Sequence, residues 1–170
     1  MTATLSRRRT LRFHGWGYAD DRLSPDEEAR VRRSAMRFNA APVETPAPRL
    51  RDFELRPPRV APPATLASMM SVTPYDRLTH SLGKSFADIV RMYLRDVRHP
   101  PDVVAFPKSE ADVAAILDWA SKANVAAIPF GGGSSVAGGV EPDVGDGYAG
   151  TVSIDLQYLH KVLELSLIHI

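Results

Sequence analysis

The 170-residue sequence has no cysteine. That excludes a disulfide framework, a cysteine-ligated zinc site and a thiol nucleophile, and it makes a cytoplasmic location the expectation. The sequence also lacks any apolar run of the roughly 18 residues needed for a membrane-spanning helix. Net charge is small, +1, so no global field draws in nucleic acid or an anionic membrane. Internal repeats are absent. What remains is ordinary globular composition, 44% apolar and 24% charged, enough for one domain with a core. The arginines of Ser6-Arg7-Arg8-Arg9-Thr10-Leu11-Arg12 suggest a twin-arginine export signal. The apolar stretch such a signal requires is missing, because Phe13 to Asp21 carries two acids and two glycines. Arg7 to Arg9 and Arg30 to Arg33 have no aromatic platform beside them and read as solvated faces, with no nucleic-acid partner implied.

Proline and glycine organise the chain. Ser24-Pro25-Asp26-Glu27-Glu28 combines a capping side chain, a first-turn proline and acids at the positive helix end, which predicts a helix running to about Phe38. Seven prolines (42, 46, 48, 57, 58, 62 and 63) then forbid regular helix between Ala41 and Ala64. This stretch is expected to be an extended connector, ordered only against another surface. The boundaries are therefore 1–64 for a helical and proline-rich extended region and 65–164 for the main folding unit.

Within that unit Phe86, Ile89, Val90, Tyr93 and Leu94 have the spacing of one apolar helix face. Val103-Val104-Ala105-Phe106 is a buried strand stopped by Pro107. Ser109 and Asp112 form a capping pair for a helix to about Ala123, with Val113, Ile116, Leu117 and Ala120 on its core face and Asn124 as a left-handed stop. Trp119 on this helix reads as packing. Val125 to Ile128 and Thr151 to Leu156 are two further strands. The fold class is α+β, with a strand–helix–strand unit whose strands run parallel.

The Val125 to Ile128 strand leads into Pro129-Phe130-Gly131-Gly132-Gly133-Ser134-Ser135-Val136. Three consecutive glycines favour neither helix nor strand and permit an unusual backbone path. Without Cβ atoms, successive N–H groups can converge on an anion, and Ser134 and Ser135 add hydroxyl donors. A diphosphate suits such a loop, since hydrogen bonds to a charged group contribute about 1.5–3 kcal/mol each. A Walker loop fits less well: Gly133 and Gly138 have its spacing but Gly139-Val140 replaces Lys-Ser/Thr. Gly83-Lys84-Ser85 has the Walker ending, with Leu78 where the first glycine belongs. The dinucleotide pattern counted from Gly131 places Val136 at its third glycine. The cluster also suits a flexible Gly-Ser turn without ligand.

Pro101-Asp102-Val103-Val104 through Pro107, the Ser109–Asp112 cap, the loop from Ile128 to Val136, and Asp155-Leu156 with Leu159 and Val162 together resemble the FAD-binding PCMH-type family, also called the vanillyl-alcohol-oxidase type. The likeness spans roughly residues 100–163. Gly15-Trp16-Gly17-Tyr18 and Arg77-Leu78-Thr79-His80-Ser81-Leu82-Gly83-Lys84-Ser85 are similar to the branch of that family formed by the alkyldihydroxyacetonephosphate synthases and their bacterial relatives. A second branch, the glycolate and D-lactate dehydrogenases, shares the glycine loop and typically lacks the Gly-Trp-Gly leader.

The resemblance implies FAD, with its pyrophosphate on Pro129, Phe130, Gly131, Gly132, Gly133, Ser134 and Ser135. In the synthase branch the acyl chain of acyl-dihydroxyacetone phosphate is exchanged for a fatty alcohol; in the dehydrogenase branch a hydride passes from a 2-hydroxy acid to the flavin. The substrate of the parent is accordingly lipid-like or a 2-hydroxy acid, and homodimerisation of the parent is compatible with either branch. Covalent relatives attach flavin through a histidine near the loop; positions 129–140 have none, which disfavours attachment there.

The family's catalytic histidine and tyrosine lie downstream of the matched region, so no catalytic residue is assigned. His14, His80, His99, His160 and His169 have no metal spacing and read as ordinary surface or capping histidines. Leu165 to Ile170 departs from the family and looks like an adapter-derived tail, which predicts an incomplete gene fragment with uncovered apolar surface and an unpaired sheet edge. A phosphate- or nucleotide-binding module without catalysis, or an inactive fragment, are the readings from other functional classes.

Overall fold

A computed structural model describes residues 9–37 and 45–161. The first helix, α1 (Pro25–Met36), starts as its sequence predicts: the Ser24 hydroxyl accepts from the Glu27 amide, and the Ser24 amide donates to the Glu27 carboxylate at 2.8 Å. None of its residues is buried, and the expected end at Phe38 lies outside the described residues. The proline-rich stretch, described from Thr45, contains a single turn of tight helix at Leu50–Asp52. It lies against the rest of the protein: Leu50, Phe53 and Leu55 pack on one core and Val60 on another.

The remaining elements are a turn of tight helix at Ala67–Met69, β1 (Met70–Ser71), α2 (Pro74–Thr79), α3 (Phe86–Leu94), β2 (Val103–Ala105), α4 (Glu110–Lys122), β3 (Val125–Phe130) and β4 (Gly150–Asp155). The strands form one sheet in the order β1-β2-β4-β3. β2 and β3 are both parallel to β4, while β1 is antiparallel to β2. The strand–helix–strand unit β2-α4-β3 thus has its expected direction, with β4 inserted between its strands. Two local signals behave as read: Ser109 and Asp112 cap α4 reciprocally, and Asn124 takes φ 52° directly after it. β3 runs two residues further than expected, to Phe130, because β4 offers it a partner along its whole length.

The two sheet faces differ in chemistry. α4 covers the apolar face, where Val103, Ala105, Ile116, Ala120, Val125, Val152 and Ile154 form the main core. Trp119 packs on this core as expected, whereas Leu117 is 46% exposed. The opposite face of β4 carries the alternate residues Thr151, Ser153 and Asp155, all buried. The residues around α2 meet this polar face. A second apolar cluster, Phe13, Leu78, Leu82 and Met92, lies beyond them.

The apolar face of α3 does not pack inward. Phe86 is 85% exposed and Leu94 71%, while Asp88 and Met92 are the buried residues of the helix. Period alone identifies an apolar stripe without naming its partner. Here Met92 joins the second core from the opposite side. The stripe instead borders an open groove of about 490 Å³ lined by Thr45, Ile89, Val90, Tyr93 and Leu94. Among the described residues no helix is long and apolar enough to cross a membrane.

Candidate functional site

The glycine loop leaves the carboxyl end of parallel strand β3, next to the end of β4, where open α/β sheets characteristically take their ligands. Pro129 is the penultimate residue of β3, exposed and paired with Ile154. It has no N–H to donate, which an edge strand tolerates. Phe130 points into the protein, 1% exposed, with its ring centroid 4.1 Å from that of His80. Gly131 and Gly132 are exposed, and a Cβ on either would meet no atom within 4 Å. Gly133 turns the chain at φ +67°, and a Cβ there would lie 2.4 Å from Phe130 Cζ. Only glycine lets the backbone pass so closely over that ring. Ser134 is exposed and Ser135 half-buried.

The segment Arg77 to Ser85 forms the underside of this loop. A Cβ on Gly83 would be 2.2 Å from the Ser135 carbonyl oxygen, and the Lys84 amide donates to that same oxygen at 2.7 Å. The Gly-Lys-Ser sequence therefore serves here as a prop for another loop. Lys84 Nζ reaches back to the carbonyls of Arg12 and Phe13 at 3.0 and 3.2 Å. Burial lowers its pKa to about 8, because the charged ammonium has lost water.

His80 is the capping residue at the C-terminal end of α2, one of its two expected roles, and corrects the other, since it is not at the surface. Its side chain is fully buried, with Nδ1 2.7 Å from the Asp76 carbonyl and Nε2 3.1 Å from Asp155 Oδ2. One ring thus ties α2, β4 and Phe130 together beneath the glycines. The sequence shows a lone histidine with no local pattern; its partner Asp155 is 75 positions away. We expect His80→Ala to cost about 2–4 kcal/mol, from the void and the lost hydrogen bonds, measured by urea unfolding. A cost below about 0.5 kcal/mol, within the ordinary range of a surface substitution, would contradict this placement.

A cavity of about 660 Å³ opens over the loop, lined by Arg9, Leu11, Tyr18, Gly131, Gly132, Leu156, Gln157, Tyr158, Leu159 and His160. Its size is within the roughly 300–1,000 Å³ usual for ligand sites. Among the described residues nothing accepts a hydrogen bond from the amides of Gly131 to Ser135, or from the Ser134 hydroxyl. Unpaired backbone donors without Cβ cover at a strand end match the chemistry of a bound diphosphate.

Residues 101–169 match the model of a family described as FAD binding domain. The chain is 34% identical over 127 residues to the alkyldihydroxyacetonephosphate synthase of Dictyostelium discoideum, covering 71% of this chain and 20% of that protein. It is 38% identical over 91 residues to the synthase of the same name from Trypanosoma brucei brucei, covering 54% of this chain and 15% of that protein. The structure superposes on a solved alkyldihydroxyacetonephosphate synthase (crystal form P212121) with a TM-score of 0.76 and 26% identity, over 98% of this chain and 35% of that one. The chain has the PCMH-type FAD-binding fold, and residues 101–169 are the part that matches the FAD-binding model. It spans about a fifth or less of the length of those two curated relatives. The sheet and glycine loop are thus the opening part of a PCMH-type FAD-binding domain, and the anomalous stretch 165–170 lies outside the described residues.

Proposed function

We propose that this chain is the N-terminal part of an FAD-dependent alkylglycerone-phosphate synthase. The parent enzyme exchanges the acyl chain of acyl-dihydroxyacetone phosphate for a fatty alcohol. The carrying observation is that, among the described residues, nothing accepts from the amides of Gly131 to Ser135 at the end of β3, supported by relatives that bear the synthase name. In this reading Gly131, Gly132, Gly133, Ser134 and Ser135 bind the FAD diphosphate. Pro129 and Phe130 set the loop's exit: Phe130 packs its ring on His80, and Pro129 contributes no N–H. Bound flavin supplies the reactive ring, and this chain's residues hold the diphosphate that links the flavin to the adenosine half of the cofactor.

The leader Gly15-Trp16-Gly17-Tyr18 also favours the synthase over the 2-hydroxy-acid dehydrogenase branch. It forms the turn of a short hairpin whose Leu11 and Tyr18 are bridged, and both of those residues line the cavity. The parent protein, loaded with FAD, is expected to convert acyl-dihydroxyacetone phosphate and a fatty alcohol into the alkyl product. It should do so without lasting bleaching of the flavin. Bleaching by glycolate or D-lactate, with no alkyl product, would overturn the assignment in favour of the dehydrogenase.

A further inference from the structure

A diphosphate is anionic, yet Pro129 to Gly139 contains no charged side chain. Backbone dipoles stabilise such a ligand, and a cationic side chain from elsewhere in the site would add to them. Arg9 is the one arginine or lysine among the described residues lining the cavity. It comes from the start of the chain, more than a hundred positions before the loop. The hairpin that carries it is closed by Arg12 N–H to Gly17 O at 3.0 Å and Ala19 N–H to Thr10 O at 2.8 Å.

This hairpin is fixed to the body of the protein at three points. Phe13 is buried in the second core. Tyr75 donates its hydroxyl to the Leu11 carbonyl at 2.9 Å. Lys84, whose own amide holds Ser135, places its ammonium on the Arg12 and Phe13 carbonyls. Lys84 therefore grips the glycine loop with its backbone and the hairpin with its side chain.

The Arg9 guanidinium is oriented before any ligand arrives. Nη2 donates to Asp20 at 2.8 Å and Asp21 at 2.5 Å, and the group lies 4.0 Å from the centre of the Tyr18 ring. Both carboxylate bonds use the same nitrogen. Nε and Nη1 have no partner among the described residues, which leaves a planar set of donors of the kind that recognises phosphate.

Resting on the FAD reading above, we infer that the N-terminal hairpin is a wall of the flavin site and that Arg9 binds a phosphate of FAD through Nε and Nη1, opposite the amides of Gly131 and Gly132. The two aspartates hold the guanidinium in place without consuming these donors. Because the contact is ionic, it weakens with added salt.

The test is a titration of the chain with FAD, followed by flavin fluorescence at several ionic strengths. Wild type is compared with Arg9→Ala, Arg9→Lys and Gly132→Asp, and ligand-free thermal midpoints are recorded. Arg9→Ala is expected to weaken FAD binding about tenfold or more and to flatten its salt dependence, with an unchanged midpoint. Arg9→Lys should restore part of the affinity, since it keeps the charge and loses the fork. If wild type binds FAD, Gly132→Asp does not, and Arg9→Ala stays within about twofold of wild type, the inference fails while the FAD reading stands; twofold is well short of the loss of one charged hydrogen bond. A weaker Arg9→Ala complex with a lowered midpoint and an unaltered salt slope also overturns it, since the residue would then be structural only. Failure of wild type to bind FAD overturns both.

Discussion

Asp102→Ala is expected to lower the stability of the fold by about 3–5 kcal/mol, the cost typical of stripping one partner from a buried ion pair. Asp102 is completely buried at the start of β2. It receives the Thr151 amide at 2.7 Å, the Thr151 hydroxyl at 3.1 Å, the Arg59 amide at 2.8 Å and Arg59 Nη2 at 2.9 Å, together with the Arg56 guanidinium. This single carboxylate fastens the proline-rich stretch to the sheet. Arg77 reinforces the joint from beneath, donating to the Pro101 and Arg56 carbonyls at 2.7 Å each.

Burial alone would raise the Asp102 pKa. The hydrogen bonds from Arg56, Arg59 and the Thr151 amide outweigh it and hold the carboxyl well below its usual value. At low pH the unfolded chain therefore binds a proton that the folded chain refuses. The contribution is complete above the unfolded carboxylate value, about pH 4, and is lost progressively as pH falls toward the folded value. Urea midpoints at pH 7 and at stepwise lower pH should show wild type converging on Asp102→Ala in acid. A variant within about 1 kcal/mol of wild type at pH 7, no more than a surface ion pair is worth, would show that this joint does not hold the connector.

Gly132→Asp is expected to reduce FAD affinity by about a hundredfold or more while leaving the thermal midpoint within about 2 °C. The size follows from losing amide contacts worth about 1.5–3 kcal/mol each and adding like-charge repulsion. The fold should tolerate the change, because Gly132 is exposed and a Cβ there meets nothing within 4 Å. The new carboxylate would stand among the amides and accept from them in place of the cofactor. Gly133→Val makes the contrast: at φ +67°, with Phe130 Cζ 2.4 Å from the new Cβ, it should damage fold and binding together. Equal loss of stability in both variants would mean that the loop is a packing element only.

Much of this arrangement is legible locally. The Ser24 and Ser109 caps, the Asn124 stop, the parallel strands and the glycine loop are all written within a few consecutive residues, and each reappears in the structure. The supports of the loop are not legible in that way. His80 meets Asp155, Lys84 meets Arg12, and Asp102 meets Arg59, pairs separated by 75, 72 and 43 positions. No period or spacing encodes such contacts, since they depend on which faces the chain brings together. α3 shows the same limit: its stripe was readable, and the side it presents to the core was not. The cofactor came from the order of strand, cap and glycine loop as a family resemblance, because glycine spacing alone also suits a ligand-free turn.

We propose that the loop from Gly131 to Ser135 holds the diphosphate of FAD. Competition titration of the chain with FAD, ADP and riboflavin, each against wild type and Gly132→Asp, tests it most directly. Wild type is expected to bind FAD, ADP to displace it, riboflavin, lacking the diphosphate, to compete poorly, and Gly132→Asp to lose both FAD and ADP. Equal FAD affinity in wild type and Gly132→Asp, or no FAD binding by either, would contradict it.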